Sequence, residues 1–207
     1  PRSVPITIRC TGIHSSRSSI RYLLALSVLA FCVYSLGFSG ALLFDDLPNL
    51  VSNSALTLEG SVFDAWRVAA LSSDSGAGGR PIAMLSFALN SVLSGGVSAY
   101  GLKLTNTLIH IATAWLVFVF ARQLLQLNPR RYSDSKVRWA AFAATIIWVL
   151  HPLQVSTVLY AVQRMAQLST FFVLLGLVVF VQYRQRWALV GASVGDVLAA
   201  SLWLGIF

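Results

Sequence analysis

The chain has 207 residues, of which 57% are hydrophobic and 11% are charged, and its mean hydropathy is +0.73. A soluble domain carries about a quarter charged residues, so the composition excludes an ordinary soluble domain and predicts an all-α polytopic membrane protein. The formal net charge is +8, but the basic residues lie in short clusters beside apolar runs. That distribution is typical of topology signals and argues against a nucleic-acid partner.

The N-terminal region predicts a cytoplasmic tail and a first span. Residues 1–21 hold Arg2, Arg9, Arg17 and Arg21 and no acidic residue. The run 22–44 is free of charge, and as one helix it would be about 35 Å long, enough to cross a membrane. Because a cleaved signal peptide has a shorter apolar region, we interpret this run as a permanent anchor with the N-terminus in the cytoplasm.

An external segment, 45–103, is predicted to follow, and it opens with the motif FDDLPNLVSN. The adjacent carboxylates of Asp45 and Asp46 repel each other unless a cation, a proton or a network of donors offsets the repulsion. Pro48 prevents the preceding helix from continuing. The alternative is a solvated loop in which both carboxylates are exposed and contribute little to stability.

Two helices are predicted within this external segment. Ser61–Leu71 has the pattern of a short amphipathic helix, with Val62, Phe63 and Trp66 on its apolar side. Pro81–Leu93 is apolar but too short to cross a membrane comfortably, so we expect it to lie along the interface. This assignment places the basic loop 122–138 on the cytoplasmic side, as the positive-inside rule requires.

The remaining apolar runs complete a five-span interpretation. Its later spans are 104–121, 139–160, 165–183 and 187–207, and the second of these is expected to break at His151–Pro152 because proline removes a helical hydrogen bond. Asn106 and His110 are predicted to form hydrogen bonds between helices. Asp196, within the last span, is predicted to be a pairing or assembly residue.

Several polar groups are predicted to meet at the outer surface, and Arg164 is the most informative of them. Its planar guanidinium suits a phosphate or a carboxylate, although the alternative is an anchor whose charged end reaches the interface. His151 has a similar alternative, in which its imidazole serves a carbonyl freed by the proline. The candidate substrate-binding residues are Asn49, Arg80, His151, Gln163 and Arg164. The sequence contains no Walker loop, HExxH or CxxC motif.

Four stretches in this order carry a family resemblance: FDDLPNLVSN, GGRPIAMLSFALN, YGLKLTNTLIHIATAWLVFVFARQLL and AAFAATIIWVLHPLQVSTVLYAVQRMAQL. Over about 22–183 the chain resembles polytopic C-type-fold glycosyltransferases, a family that includes the protein O-mannosyltransferases with C-terminal tetratricopeptide repeats and their bacterial relatives. The resemblance implies a polyprenyl-phosphate sugar donor and an extracytoplasmic acceptor. It also implies an integral protein of the bacterial inner membrane with a cytoplasmic N-terminus.

The resemblance implies roles for individual residues. Asp45 or Asp46 becomes the candidate base for the acceptor hydroxyl, or the pair becomes a ligand for a divalent cation. Arg80 and Arg164 become candidates for the lipid phosphate, and His151 lies in the family's His-Pro motif. Relatives carry an acidic residue near the position of Ser156. Its absence here favours the alternative of a non-catalytic membrane subunit with the same scaffold, docked to a partner membrane protein. Membrane lipids are partners in either case.

Overall fold

A computed structural model describes residues 17–58, 62–73, 79–127 and 132–190, together with Gly195. Residues 1–16 of the predicted tail, Asp196 and most of the fifth predicted span lie outside these residues, and 17–21 of that tail begin the first helix. The described secondary structure is entirely helical, which confirms the all-α class. The helices are α1 (Arg17–Ser35), α2 (Val62–Leu71), α3 (Pro81–Ser94), α4 (Ala99–Gln126), α5 (Asp134–Val149), α6 (Gln154–Leu159) and α7 (Arg164–Val190), with short π- or 3₁₀-helical turns at Leu47–Val51, Ser54–Thr57 and Ala161–Gln163.

The central helix is α4, which packs against α1, α5 and α7. The start of α1 meets the start of α5, where the rings of Tyr22 and Trp139 lie 5.3 Å apart, and Phe118 near the end of α4 joins the same cluster. At the opposite end the start of α7 meets the start of α4, because Arg164 donates to the Leu102 carbonyl. Helices α1 and α5 therefore run against α4 and α7.

The two ends of this bundle differ in charge. The basic end carries Arg21, Arg122, Lys136 and Arg138 close to the junctions just described. The opposite end, called here the site end, carries Asp45, Asp46 and Arg80 with the N-termini of α4 and α7. These helix directions agree with the alternation that the charges predict.

The first predicted span is shorter as a helix than expected, because α1 ends at Ser35 and turns follow. A buried lysine explains the early end. Lys103 donates from Nζ to the carbonyl oxygens of Gly37 (3.3 Å), Gly40 (2.6 Å) and Ala41 (3.2 Å). These bonds satisfy backbone acceptors that lie beyond the helix. The prediction of one helix over 22–44 is therefore wrong beyond Ser35.

Within the described residues, two helices are long and apolar enough to cross a membrane, Ala99–Gln126 and Ala161–Trp187. Helix α7 continues through Arg184 to Val190, past the boundary predicted between the fourth and fifth spans, and that boundary stays a prediction. The part of the helix from Arg184 to Val190 contains no glycine or proline that would end it. The rings of Tyr183 and Trp187, one turn apart, lie 6.1 Å from each other.

The predicted break at His151–Pro152 is confirmed, since α5 ends at Val149 and α6 begins at Gln154. The Val149 carbonyl, which the break frees, accepts a hydrogen bond of 2.8 Å from Tyr34 Oη and lies 3.1 Å from His110 Nε2. A carbonyl at a helix break is thus paired by neighbouring helices.

A second interruption of the helix follows α6, and the Asn106 side chain forms hydrogen bonds with backbone carbonyls there. The Asn106 amide donates from Nδ2 to the carbonyl oxygens of Val158 (3.2 Å) and Ala161 (3.1 Å). The predicted interhelical hydrogen bonds of Asn106 and His110 are therefore confirmed.

Helices α2 and α3 pack together at the site end. The buried side of α2 consists of Ala65 and Ala69, whereas Val62 and Phe63 are 77% and 79% exposed. Val62 and Phe63, on the apolar side predicted for α2, are therefore not part of its buried side, where small side chains allow the close contact with α3. Helix α3 forms as predicted and is one residue longer, and its interfacial placement stays a prediction.

Candidate active site

The segment 160–165, called here the α6–α7 link, brings three predicted site residues together. The backbone N–H of Asp45 donates to Tyr160 Oη (2.9 Å). The carboxylate of Asp46 accepts from the Val162 backbone N–H (2.7 Å). The guanidinium of Arg80 contacts Met165 Sδ at 3.4 Å. The acidic motif and Arg80 therefore lie along one short segment, although more than 30 residues separate them in the sequence.

The two neighbouring carboxylates have different environments. Asp46 is 1% exposed, and its second oxygen, Oδ2, accepts from the Leu43 backbone N–H at 3.2 Å. Both oxygens of Asp46 are therefore engaged by the chain's own backbone. Asp45, by contrast, is exposed. The repulsion between the two carboxylates is offset by hydrogen-bond donors around Asp46. The expectation that both carboxylates are exposed is wrong for Asp46.

One unusual backbone conformation lies immediately before Asp45, and another lies at Arg80 itself. Phe44, immediately before Asp45, has φ 47°, and Arg80 has φ 46° and ψ 53°. Residues with a Cβ rarely adopt this left-handed region, and such strain concentrates at functional sites. At Arg80 the conformation turns the chain into α3 and leaves the side chain exposed next to the α6–α7 link.

Arg164 lies inside the bundle rather than at its surface. It is 0% exposed, and its guanidinium carbon is 4.5 Å from the Phe87 ring centroid. Its donors go to Asn106 Oδ1 (2.7 Å, from Nε), the Ser86 carbonyl (3.0 Å, from Nη1) and the Leu102 carbonyl (2.8 Å, from Nη2). These contacts join α3, α4 and α7. In this arrangement Arg164 positions the link and does not present its fork to a ligand.

The other predicted substrate-binding residues take three different positions. Asn49 is half-buried and donates from Nδ2 to the Asp45 carbonyl (2.8 Å), which fixes the turn that carries Asp45. Gln163 is half-buried within the link. His151 is exposed at the far end of α6, where its Nδ1 accepts from the Leu153 N–H (3.2 Å). Since α6 is about 9 Å long, the structure does not bring His151 to the link.

The described residues do not fit the predicted divalent cation. They contain no group of three or more His, Cys, Asp and Glu side chains that could hold a metal ion. Asp46 already accepts two hydrogen bonds, so Asp45 alone of the pair presents an exposed carboxylate. A divalent cation normally takes several oxygen ligands, more than this one carboxylate offers.

Tyr160 and Lys103 are site-end residues that the sequence reasoning missed. Tyr160 contacts the Asp45 backbone, and Lys103 holds the turn that leads to the acidic motif. Lys103 had a detectable signal, because a lysine at the edge of an apolar run that follows an acidic loop calls for a partner. Tyr160 had none, since its contact joins residues 115 positions apart.

Within the described residues, the fold and the site define an all-helical protein with two membrane-length helices and an acidic motif held against a broken helix. Known proteins with similar sequences carry one activity in their names. The chain is 29% identical over 154 residues, 72% of its length, to Protein O-mannosyl-transferase Tmtc1 of Drosophila melanogaster, of which it covers 17%. It is 27% identical over 180 residues, 83% of its length, to Protein O-mannosyl-transferase TMTC4 of Mus musculus, of which it covers 24%.

A third relative, Protein O-mannosyl-transferase Tmtc2 of Drosophila melanogaster, is 29% identical over 158 residues, 73% of this chain and 16% of that protein. The chain thus spans about a fifth of the length of these curated relatives. No family model and no solved structure matches it. The resemblance to O-mannosyltransferase-related proteins, inferred from the four sequence stretches, is confirmed.

Proposed function

We propose that the chain is part of a membrane glycosyltransferase that moves a sugar from a polyprenyl-phosphate donor to an extracytoplasmic hydroxyl. The observation that carries the proposal is the placement of exposed Asp45 and exposed Arg80 along the same α6–α7 link, in a chain similar to proteins named O-mannosyl-transferases. The proposal keeps five spans, with the site end outside and the N-terminus in the cytoplasm. Location in a bacterial inner membrane stays a prediction.

The reaction needs a base and a positive charge at the same depth relative to the membrane surface. The acceptor oxygen forms a bond to the sugar carbon while the bond from that carbon to the phosphate oxygen breaks. Asp45 takes the hydroxyl proton, and Arg80 stabilises the negative charge that grows on the departing lipid phosphate. Asp46 and Arg164 keep the link in place from inside the bundle. Membrane lipids hold the donor's phosphate near this surface.

An in vitro transfer assay tests this proposal on the full-length protein with polyprenyl-phosphate mannose and an acceptor protein. Asp45→Asn is expected to lower the rate by about 100-fold or more, because a general base contributes about 10²–10⁴-fold. Arg80→Ala is expected to raise the KM for the lipid donor and to lower kcat as well. Asp64→Asn, an exposed carboxylate on α2 of the same end, is the control and should keep the wild-type rate. An Asp45→Asn protein with unchanged turnover contradicts the proposal.

The second candidate function is a non-catalytic subunit that uses this scaffold to dock to a partner membrane protein. The observation in its favour is that Asp46 and Arg164 are occupied by internal contacts. On this alternative, Asp45→Asn leaves both transfer and stability unchanged. Affinity purification of the full-length protein would then recover a partner in a fixed ratio.

A further inference from the structure

The basic end contains an open crevice between α1, α4 and α5 that has no part in the proposed transfer reaction. The empty space within it is ≈ 200 Å³ when open solvent is included. The side chains that line it are Ser19, Tyr22, Phe118, Arg138, Trp139 and Phe142. The lining therefore combines aromatic rings with a serine hydroxyl and a guanidinium.

Two buried hydrogen-bond donors at this end have no partner in the described part of the chain. The hydroxyl of Ser19 makes no hydrogen bond although the residue is only 2% exposed. The Nε–H of Arg122 is also buried and unpaired, and the Arg122 guanidinium carbon lies 5.8 Å from the ring of Phe118, which lines the crevice. Buried donors are normally paired, so both point to an acceptor that the described residues do not supply.

The charges around the crevice favour an anionic acceptor. Arg138 lies close enough to Arg122 for the two like charges to interact, and Asp134 is the acidic group that offsets them in part. Two positive charges against one negative charge leave a surplus at a site with apolar walls. A phosphate oxygen can accept from a guanidinium and a hydroxyl at the same time, which makes it a suitable ligand.

The walls of the crevice indicate that the phosphate belongs to a lipid. The rings of Tyr22 and Phe142 lie 5.8 Å apart, and Tyr22 and Trp139 are 44% and 49% exposed. Exposed aromatic rings beside a basic group are typical of the interfacial layer of a membrane. A free phosphate would gain nothing from these rings, whereas the glycerol and acyl chains of a lipid would pack on them.

We propose that this crevice binds the phosphate diester of an anionic membrane phospholipid, with Ser19, Arg122 and Arg138 as its donors and Tyr22 and Trp139 against the chains. Basic pockets between membrane helices on the cytoplasmic side bind such headgroups. The site locks the start of α1 to α4 and α5. It is independent of the transfer chemistry, because it lies at the opposite end of the bundle from Asp45.

Thermal unfolding of the full-length protein in a neutral detergent tests the proposal. Phosphatidylglycerol is expected to raise Tm by about 3 °C or more, as a ligand in excess over its Kd does. Phosphatidylcholine and inorganic phosphate, added at the same concentration, should each leave Tm within about 1 °C of the lipid-free value. Equal stabilisation by phosphatidylcholine overturns the proposal, and equal stabilisation by inorganic phosphate assigns the crevice to a free anion instead.

Three variants place the effect in the crevice. Arg138→Gln should abolish the rise that phosphatidylglycerol causes, whereas Arg186→Gln, an exposed charge at the end of α7, should keep it. Equal loss in both variants would show diffuse attraction and overturn the site. Ser19→Ala is the second, gentler variant. It should raise Tm without lipid, because an unpaired buried hydroxyl is removed, and reduce the rise with phosphatidylglycerol. An undiminished rise in Ser19→Ala overturns the role of this hydroxyl and with it the site.

Discussion

Two charged side chains at the site end, Asp46 and Arg164, are buried and bound by the chain's own polar groups. Burial of a charge is costly unless hydrogen bonds replace the lost water. For Asp46 those bonds come from the Leu43 and Val162 backbone. For Arg164 they come from groups on two helices, α3 and α4. At the residue scale, these two groups hold the α6–α7 link in register with the acidic motif.

The sequence located the acidic pair but could not rank its members. Adjacent carboxylates look equivalent in a motif, and which one turns inward depends on the Val162 N–H, 116 positions away. The same limit applies to Arg164, because its acceptors on α3 and α4 become neighbours only after the helices pack. Asn106 and His110 were predictable, because polar side chains in an apolar run need a partner.

Asp46→Asn is expected to destabilise the folded protein by about 2 kcal/mol. The amide supplies one acceptor oxygen, and its NH₂ group faces a backbone N–H that the carboxylate had paired. Unfolding in denaturant measures the difference. Asp45→Asn, on the neighbouring exposed residue, is the matched control and should stay within about 0.5 kcal/mol of wild type. Equal stability of the two variants would contradict the buried position of Asp46.

Arg164→Met is expected to cost about 3 kcal/mol, because Asn106 Oδ1 and the Ser86 and Leu102 carbonyls lose their donor inside the bundle. Arg164→Lys should recover only part of this loss, since an ammonium cannot reproduce the planar fork. Arg184→Met, an exposed arginine on the same helix, serves as the control. If Arg164→Met folds normally and only the KM for the lipid donor rises, the result contradicts the structural role and supports the phosphate-binding role predicted from the sequence.

At the element scale, the interrupted helix α5–α6 determines the geometry of the site end. Its first break follows from His151–Pro152 and was predictable from the proline. Its second interruption, at Tyr160, contains no proline or glycine, and it is stabilised by the Asn106 amide from α4. A break that depends on a side chain of another helix leaves no local signal in the sequence. For this reason 139–160 was predicted as one span with a single break.

The close approach of α6 to the end of α1 is tested at Gly37. A Cβ at this position would meet the Leu159 side chain, so Gly37→Ala is expected to cost about 1–2 kcal/mol. The double variant with Leu159→Ala should show a favourable coupling of about 1 kcal/mol relative to the sum of the single changes. Ser39→Ala, exposed in the same turn, is the control. Additive costs for Gly37 and Leu159 would mean that α1 and α6 do not meet there.

At the scale of the whole molecule, the bundle separates its charges along its axis. The basic residues Arg21, Arg122 and Arg138 gather at one end, and the acidic motif lies at the other. This separation of charge could be predicted from the sequence, because basic residues concentrate in the loops on one side of a membrane. The sequence could not predict the lengths of the helices, since the end of α1 depends on Lys103 and α7 extends past its basic residues.

Cysteine labelling decides the orientation of the bundle. In a Cys10→Ser, Cys32→Ser background, Ser52→Cys places a thiol at the exposed site end, and Ser133→Cys places one just before α5 at the basic end. A membrane-impermeant maleimide added to intact cells is expected to label position 52 and not position 133, because basic loops stay in the cytoplasm. Both positions should react after the membrane is permeabilised, which controls for buried thiols. Labelling of position 133 alone on intact cells would show that the bundle has the opposite orientation. Asp45 would then lie on the cytoplasmic side, where an extracytoplasmic acceptor could not reach it.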